Sequence, residues 1–231
     1  MRHIGLVGGL SPESTIEYYK IICEEYNHLA GRLHFPVMTM RSLDLQQIAD
    51  LMGVGDWDGV ADTIVDAIKD LHRAGADFAA IATNTPHNAI ERIQERSPIE
   101  VLSIADATAM AIQRDGIHTV GLLGTRPTME YGFFQKAFRR YGIETITPPE
   151  QARLEIDNII WTQLVKGQIL EESRRAYLRT IDDLAHEGAQ GVVLGCTEIP
   201  LLVRQQDTSI KTYNTTDIHA RAILEYAMND E

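Results

Sequence analysis

The sequence has few of the residues that mark disulfide-stapled, zinc-binding or membrane-spanning proteins. Its two cysteines, Cys23 and Cys196, are too few for a disulfide framework and lack the companion ligands of a structural zinc site. No apolar run approaches the roughly 20 residues of a membrane helix. The N-terminus shows no basic-then-apolar signal region. These absences predict a cytoplasmic globular protein without a metal.

Positive charge is also scarce. The chain has 21 Lys and Arg against 33 Asp and Glu, a net charge of -12, and the basic residues form no cluster. Because nucleic acids and anionic membranes bind basic surfaces, neither is expected as a partner. The pair Gly8-Gly9 lacks the rest of a nucleotide-binding glycine loop. The length of 231 residues suits one large domain or two small ones.

Short β-branched or apolar runs alternate with helical patterns along the chain. The segment after Trp57 carries apolar residues at helical spacing, and Ser11-Pro12 is typical of an N-cap followed by proline. This alternation predicts an α/β protein with parallel sheets, whose ligand site lies at the carboxyl ends of the strands. The expected strands are His3–Val7, Pro36–Met40, Phe78–Ala82, Val101–Ser103, Thr119–Leu123, Glu144–Ile146, Gly191–Leu194 and Ile210–Tyr213.

Two patterns occur twice, about half a chain apart. The motif Gly-Leu-Val-Gly at Gly5 recurs as Gly-Leu-Leu-Gly at Gly121, and Gly75-Ala76 before a strand recurs as Gly188-Ala189. The repeat predicts two similar α/β domains, with the last helix packing back on the first. The predicted domains are residues 1–103 with 214–231, and residues 104–213.

The repeat makes Thr83 and Cys196 equivalent, each just past a matching strand. Pseudo-twofold packing of the domains would then place a hydroxyl and a thiol on opposite sides of a small molecule in one cleft. That arrangement suits removal of a proton from one face of a carbon and delivery of a proton to the other. Amide and hydroxyl groups of Asn84, Thr85 and Thr197, with nearby backbone N–H groups, are expected to hold a carboxylate.

Each candidate also has an ordinary structural interpretation. A free cysteine is most often a small buried hydrophobe, which is the expectation for Cys23 and an alternative for Cys196. His87 either orients a catalytic group or caps its helix. Glu198 either positions a neighbour or is a first-turn helix carboxylate. These alternatives stay open at this point.

Motifs spread over the whole chain resemble those of the aspartate/glutamate racemase family. The resemblance implies two pseudosymmetric α/β domains with the active site in the cleft between them, often paired as a homodimer. It also implies racemisation of an amino acid without pyridoxal phosphate or metal, so no cofactor is expected. The matching segments are Ile4–Tyr19, Gly55–Trp57, Thr83–His87, Leu123–Met129 and Gly195–Glu198.

The chain departs from most of that family at position 83, where threonine replaces one of two catalytic cysteines. It therefore resembles the Thr/Cys branch, which includes L-aspartate/glutamate-specific and broader-range amino acid racemases. Met52 stands where part of that branch has a polar substrate contact, so Met52 and Arg41 leave the side-chain preference open. The roles that the resemblance implies are acid/base chemistry for Thr83 and Cys196, substrate binding for Asn84, Thr85, Thr125, Thr128 and Thr197, and support behind the substrate contacts for Ser11, His87 and Glu198.

The chemistry of the two side chains suggests how they would act. A thiol has an ordinary pKa of about 8.5, which a helix N-terminus or a cation such as the substrate ammonium group can lower. An aliphatic hydroxyl is not ionised near neutral pH without a neighbouring base. The hypothesis is that Cys196, as thiolate, removes the α-proton and Thr83 delivers a proton to the opposite face. By family analogy, Cys196 faces the α-proton of the L-enantiomer.

Two other classes of function remain open. Arylmalonate decarboxylases resemble this fold and keep only the second-half cysteine, and hydantoin racemases and maleate isomerases are similar as well. Alternatively, the chain binds an amino acid without chemistry. Thr83 favours that last interpretation, because it removes one strong base.

Overall fold

A computed structural model describes residues 1–229, which form two compact units. The first unit contains residues 1–107 and the chain from Thr216 onward, and the second contains Thr108–Thr215. These limits lie a few residues beyond the predicted ones, because the helix Ile104–Arg114 begins in the first unit and ends in the second. Asp230 and Glu231, the end of the predicted range 214–231, lie outside the described residues.

Each unit has a four-stranded parallel sheet, and the strands follow the same order in both. The order is β2-β1-β3-β4 in the first sheet and β6-β5-β7-β8 in the second. The α/β prediction is confirmed, and the strand ends differ from the predicted ones by at most two residues. The strands are β1 (Ile4–Gly8), β2 (Met38–Ser42), β3 (Phe78–Ile81), β4 (Glu100–Leu102), β5 (Thr119–Gly124), β6 (Glu144–Ile146), β7 (Gly191–Gly195) and β8 (Lys211–Asn214).

Helices connect the parallel strands of each sheet, as crossover connections require. Ser11 is the N-cap of the first helix, where its hydroxyl accepts a hydrogen bond from the Ser14 N–H group, as the Ser-Pro pattern predicts. The helices are α1 (Pro12–Ala30), α2 (Leu45–Gly53), α3 (Trp57–Arg73), α4 (Ile90–Arg96), α5 (Ile104–Arg114), α6 (Arg126–Glu130), α7 (Phe133–Arg140), α8 (Glu150–Thr162), α9 (Glu171–His186), α10 (Ile199–Leu202) and α11 (Thr215–Met228).

The first sheet buries both of its faces. Successive side chains of a strand point to opposite faces, so Val7 and Ile81 pack with α2, α3 and α4, while Leu6 and Phe78 pack with α1 and α11. Burial on both faces explains why β1 and β3 consist of apolar residues without alternation. The returning helix α11 thus completes the core of the first unit.

The repeated glycines mark close approaches that are alike in the two units. A Cβ atom on Gly8 would lie 2.6 Å from Thr15 Cγ2, and one on Gly124 would lie 2.8 Å from Thr128 Cγ2. Neither glycine can therefore carry a side chain without displacing the threonine. In each unit this contact lies at the carboxyl end of the sheet's second strand in spatial order, β1 or β5, which is the end where the candidate residues emerge.

Candidate active site

The Thr83 loop leaves the carboxyl end of β3, a central strand of the first sheet. Thr83 and Thr85 are half-buried, whereas Asn84 is only 5% exposed. Among the residues that the structure describes, none donates a hydrogen bond to Asn84 Oδ1. A buried acceptor without a partner costs about 1–3 kcal/mol. This acceptor is thus suited to a ligand N–H group.

Beneath this loop, His87 lies fully buried in the 3-10 turn Thr85–Ala89. Its Nε2 accepts a hydrogen bond of 3.3 Å from the Ile104 N–H group, the first residue of α5. Burial lowers the pKa of His87 to about 4, and the nearby backbone carbonyls of Thr83 and Asn84 offset only part of that effect. His87 is therefore neutral near pH 7. Its ring accepts a hydrogen bond from the first N–H group of α5, so it does not cap its own helix.

A second buried histidine, His219 of α11, lies next to His87 with ring centroids 5.9 Å apart. Its Nδ1 accepts from the Tyr18 hydroxyl at 2.8 Å, and its Nε2 donates to the Leu102 carbonyl at 3.2 Å. Burial and the neighbouring His87 lower the pKa of His219 to about 3. The sequence interpretation missed both His219 and Tyr18. The signal in the sequence that could have identified His219 is a histidine within the apolar stripe of the last helix.

The Cys196 loop leaves the carboxyl end of β7, a central strand of the second sheet. The Cys196 thiol donates to Glu198 Oε2 at 2.9 Å, and the Thr197 hydroxyl donates to the same oxygen at 2.7 Å. Removal of the thiol from solvent, followed by the negative charge of Glu198, raises the pKa of Cys196 well above its ordinary value. Burial and the charge of Glu198 therefore shift the pKa of Cys196 upward, whereas the sequence suggested that a helix N-terminus or a cation could lower it.

Glu198 occupies the N-cap position of α10, but its side chain makes no capping hydrogen bond with that helix. The carboxylate instead turns back to Cys196 and Thr197. Of the two interpretations open from the sequence, the contacts favour the one in which Glu198 positions a neighbour.

Thr125 and Thr128 lie beside the Cys196 loop within the second unit. Gly124 and Gly195 are paired at the ends of β5 and β7, so Thr125 and Cys196 begin adjacent loops. The two threonine hydroxyls are 3.0 Å apart and buried. The second unit thus brings together Thr125, Thr128 and the Cys196 loop.

The remaining candidates lie in the first unit. Ser11 acts as an N-cap of α1, which is a structural role. The Arg41 guanidinium donates to Asp70 Oδ2 at 3.1 Å, and Met52 packs partly buried against the core. Within residues 1–229, no group of three or more His, Cys, Asp or Glu side chains is arranged to hold a metal ion. None of the helices of that part of the chain is long and apolar enough to span a membrane.

Comparison with known proteins identifies the class to which this fold and these loops belong. The profile of the Asp/Glu/Hydantoin racemase family matches residues 7–223. The chain therefore belongs to this family. The predictions of an amino acid racemase fold and of an enzyme of the isomerase class are confirmed at that level.

Individual relatives are similar over nearly the whole chain. A broad specificity amino-acid racemase of Bacillus subtilis is 30% identical over 224 residues, 96% of this chain and 96% of its own. A crystal structure from Yersinia pestis, described as a candidate Asp/Glu racemase, is 42% identical with a TM-score of 0.95, covering 99% of this chain and 100% of the other. An aspartate racemase homologue from Pyrococcus horikoshii is 33% identical with a TM-score of 0.89 and the same coverage.

Proposed function

We propose that the protein interconverts the L and D forms of an amino acid, with aspartate and glutamate as the leading substrates, by proton transfer at Cα without a cofactor. Cys196 exchanges a proton with one face of Cα, and Thr83 serves the other face. The observation that carries this assignment is that Cys196 directly follows β7 and Thr83 lies two residues past β3, and these strands hold the same position in two sheets with the same strand order. The names of the relatives support the substrate class.

The substrate's polar groups are held by the loops that bear these two residues and by the adjacent loop that bears Thr125 and Thr128. Asn84 Oδ1 accepts from the α-ammonium group, which supplies the partner that this buried atom otherwise lacks. Hydroxyl groups of Thr85, Thr125 and Thr128 and the backbone N–H groups beside them donate to the α-carboxylate. Thr197, whose hydroxyl donates to Glu198, contributes its backbone N–H group. Donors placed there also stabilise the negative charge that moves onto the carboxylate when the α-proton leaves.

Substituting Asn84 with alanine tests this binding assignment. Loss of one hydrogen bond to a charged group costs about 1.5–3 kcal/mol, so kcat/KM is expected to fall roughly 10- to 150-fold. Asn88→Ala, in the same 3-10 turn, is the matched control and should leave kcat/KM within threefold. An unchanged kcat/KM in Asn84→Ala would remove Asn84 from the substrate site.

Proton NMR in deuterium oxide tests the function itself. The purified protein is incubated, without added cofactor, with L-aspartate, L-glutamate, L-homoserine, L-serine and L-alanine in separate tubes. Loss of the α-proton signal shows deprotonation at Cα, and chiral chromatography of the same tubes shows whether the D-enantiomer forms. Loss of carbon dioxide from an arylmalonate without α-exchange in any amino acid would instead favour a decarboxylase, and tight binding without exchange would favour a binding protein.

Arg41 and Met52, the two residues that leave the side-chain preference open in the sequence, bear on the range of substrates. Arg41 is engaged with Asp70, and Met52 is an apolar side chain that packs against the core of the first unit. We therefore expect activity on several amino acids in the panel, with the acidic pair first. The ranking of exchange rates across the five substrates measures this range.

The homodimer is a further part of the proposal, and an exposed apolar segment supports it. Leu33, Phe35 and Val37 are 89%, 56% and 63% exposed and precede β2, the edge strand of its sheet. Exposed apolar surface beside an open strand edge is typical of an interaction surface.

Charge introduced into this segment should break the dimer. Phe35→Asp combined with Val37→Asp is expected to shift the protein from dimer to monomer, as measured by light scattering after size-exclusion chromatography. Leu154→Asp, at an exposed position of α8, is the control and should remain dimeric. A monomeric parent protein, or a dimeric double variant, would show that this segment is not the interface.

A cytoplasmic location is also part of the proposal. Both cysteines are free, and they belong to different units, so neither forms a disulfide with the other. Unpaired thiols persist most readily in the reducing environment of the cytosol.

A further inference from the structure

The Glu198 carboxylate is directed at the sulfur atom of Cys196. One oxygen, Oε2, accepts hydrogen bonds from both the Cys196 thiol at 2.9 Å and the Thr197 hydroxyl at 2.7 Å. Since the side chain makes no capping bond to α10, these two contacts fix its orientation. The loop therefore holds a proton acceptor within hydrogen-bonding distance of the proposed base.

This contact has a consequence for the protonation of sulfur. Burial and, after it, the negative charge of Glu198 raise the pKa of the Cys196 thiol, because ionisation would leave a desolvated thiolate beside a carboxylate. The hydrogen bond of 2.9 Å runs from the thiol to the carboxylate, so the proton lies on sulfur in the resting protein. A protonated thiol cannot remove a proton from Cα, so sulfur must first lose its own.

The other titratable groups near sulfur do not supply that base. Tyr177 of α9 is close enough to feel the charge of Cys196, and burial raises the pKa of its phenol well above the ordinary value. Its hydroxyl donates to the Ile156 carbonyl. Asp157 of α8 influences Tyr177 but is directed elsewhere, accepting from the Arg126 N–H group and from Trp161 Nε1. Among these groups, Glu198 is therefore the one positioned to accept the thiol proton of Cys196.

We propose that Glu198 accepts the thiol proton of Cys196 when the substrate ammonium group arrives, an assignment that rests on the proposed function. The S–H bond breaks, an O–H bond forms on Glu198, and the negative charge moves from the carboxylate to sulfur, where the ammonium charge stabilises it. The thiolate then takes the α-proton, and the electron pair of the Cα–H bond passes into the substrate enolate. Thr83 protonates the opposite face and regains its proton from solvent, while Glu198 releases its proton to solvent.

Glu198→Gln separates this role from a structural one. The amide keeps the size of the side chain and can still accept a hydrogen bond from sulfur, but it carries no charge and takes no proton. Two quantities are measured between pH 6 and 10. One is the rate of iodoacetamide alkylation at Cys196 without substrate, followed by mass spectrometry of the peptide so that Cys23 is scored separately. The other is α-proton exchange of the amino acid substrate in deuterium oxide.

The two quantities are expected to move in opposite directions. At pH 7, alkylation of Cys196 should become about tenfold faster in Glu198→Gln, which corresponds to a thiol pKa lower by roughly one unit. Exchange should become about 100-fold slower, the usual scale of a lost general base. Raising the pH should restore exchange in this variant, because hydroxide then removes the thiol proton. Glu198→Asp, which keeps a carboxylate, should retain more exchange at pH 7 than Glu198→Gln.

Glu187→Gln, at an exposed glutamate following α9, should change neither quantity. Coinciding alkylation profiles of parent and Glu198→Gln would overturn the proposal, and so would exchange in Glu198→Gln within threefold of the parent at pH 7. If the parent exchanges no amino acid, the proposed function fails together with the catalytic part of this proposal. A tenfold alkylation difference would in that case still establish the coupling of the thiol proton to Glu198.

Discussion

Replacement of Cys196 by alanine is expected to abolish α-proton exchange with L-aspartate and L-glutamate, with a rate reduction of at least about a thousandfold. The reason is that Thr83, the other side chain in the proposed pair, is a hydroxyl that stays protonated near neutral pH. The variant should still fold, because Cys196 is only partly buried and packs at the margin of the second core. NMR in deuterium oxide measures the exchange, and circular dichroism measures the fold.

The second cysteine provides a matched control for this experiment. Cys23 is buried in α1 of the first unit, where it contributes to packing. Cys23→Ala should therefore lower stability modestly while leaving exchange within threefold of the parent. Exchange in Cys196→Ala at the parent rate would contradict the assignment of the thiol as the base for the L-enantiomer.

Acid is expected to destabilise the first unit by about 4 kcal/mol between pH 7 and pH 5, because His87 and His219 are held neutral. Their pKa values in the folded protein are about 4 and about 3, against about 6.5 when unfolded. In this window the unfolded chain therefore binds up to two more protons than the folded one. The stability from neutral histidines is fully present above pH 6.5 and is lost as the pH falls toward the folded values.

Urea unfolding at several pH values measures this effect. Trp57 belongs to the first unit and Trp161 to the second, so fluorescence in a Trp161→Phe background follows the unit that contains both histidines. His219→Gln should roughly halve the loss between pH 7 and pH 5, whatever its stability at pH 7. His72→Gln, at an exposed position of α3, should leave the loss unchanged. A parent protein that loses less than 1 kcal/mol would contradict the prediction.

Local signals were enough to predict the strands, the first N-cap and the doubled sheet. The apolar runs of β1 and β3 are continuous because both sheet faces are covered, and this made them easy to recognise. The repeated glycines at Gly8 and Gly124 reflect a steric requirement that recurs in each unit, so they marked the repeat. The candidate loops followed, since ligand sites of parallel sheets lie at the carboxyl strand ends.

The polar contacts behind those loops could not be predicted in the same way. Tyr18 and His219 are 201 residues apart in the chain, and no local pattern pairs them. The direction of the Glu198 side chain was equally hidden, because a carboxylate at a helix start is more often a capping or first-turn residue. Burial of the thiol, and after it the charge of Glu198, raise the pKa of Cys196, whereas the sequence suggested a lowering. These features depend on side-chain orientation and long-range packing.

The division of the first unit between the two ends of the chain has a consequence for biosynthesis. Within this unit, β1 emerges from the ribosome well before α11, which covers one face of that sheet. The second unit, Thr108–Thr215, is complete in sequence before α11 has been translated. Domains generally fold as units during synthesis, so we expect the second unit to be able to fold before the first is complete. A ribosome that stops just short of α11 would release a chain with a finished Cys196 loop and an unfinished support beneath Thr83.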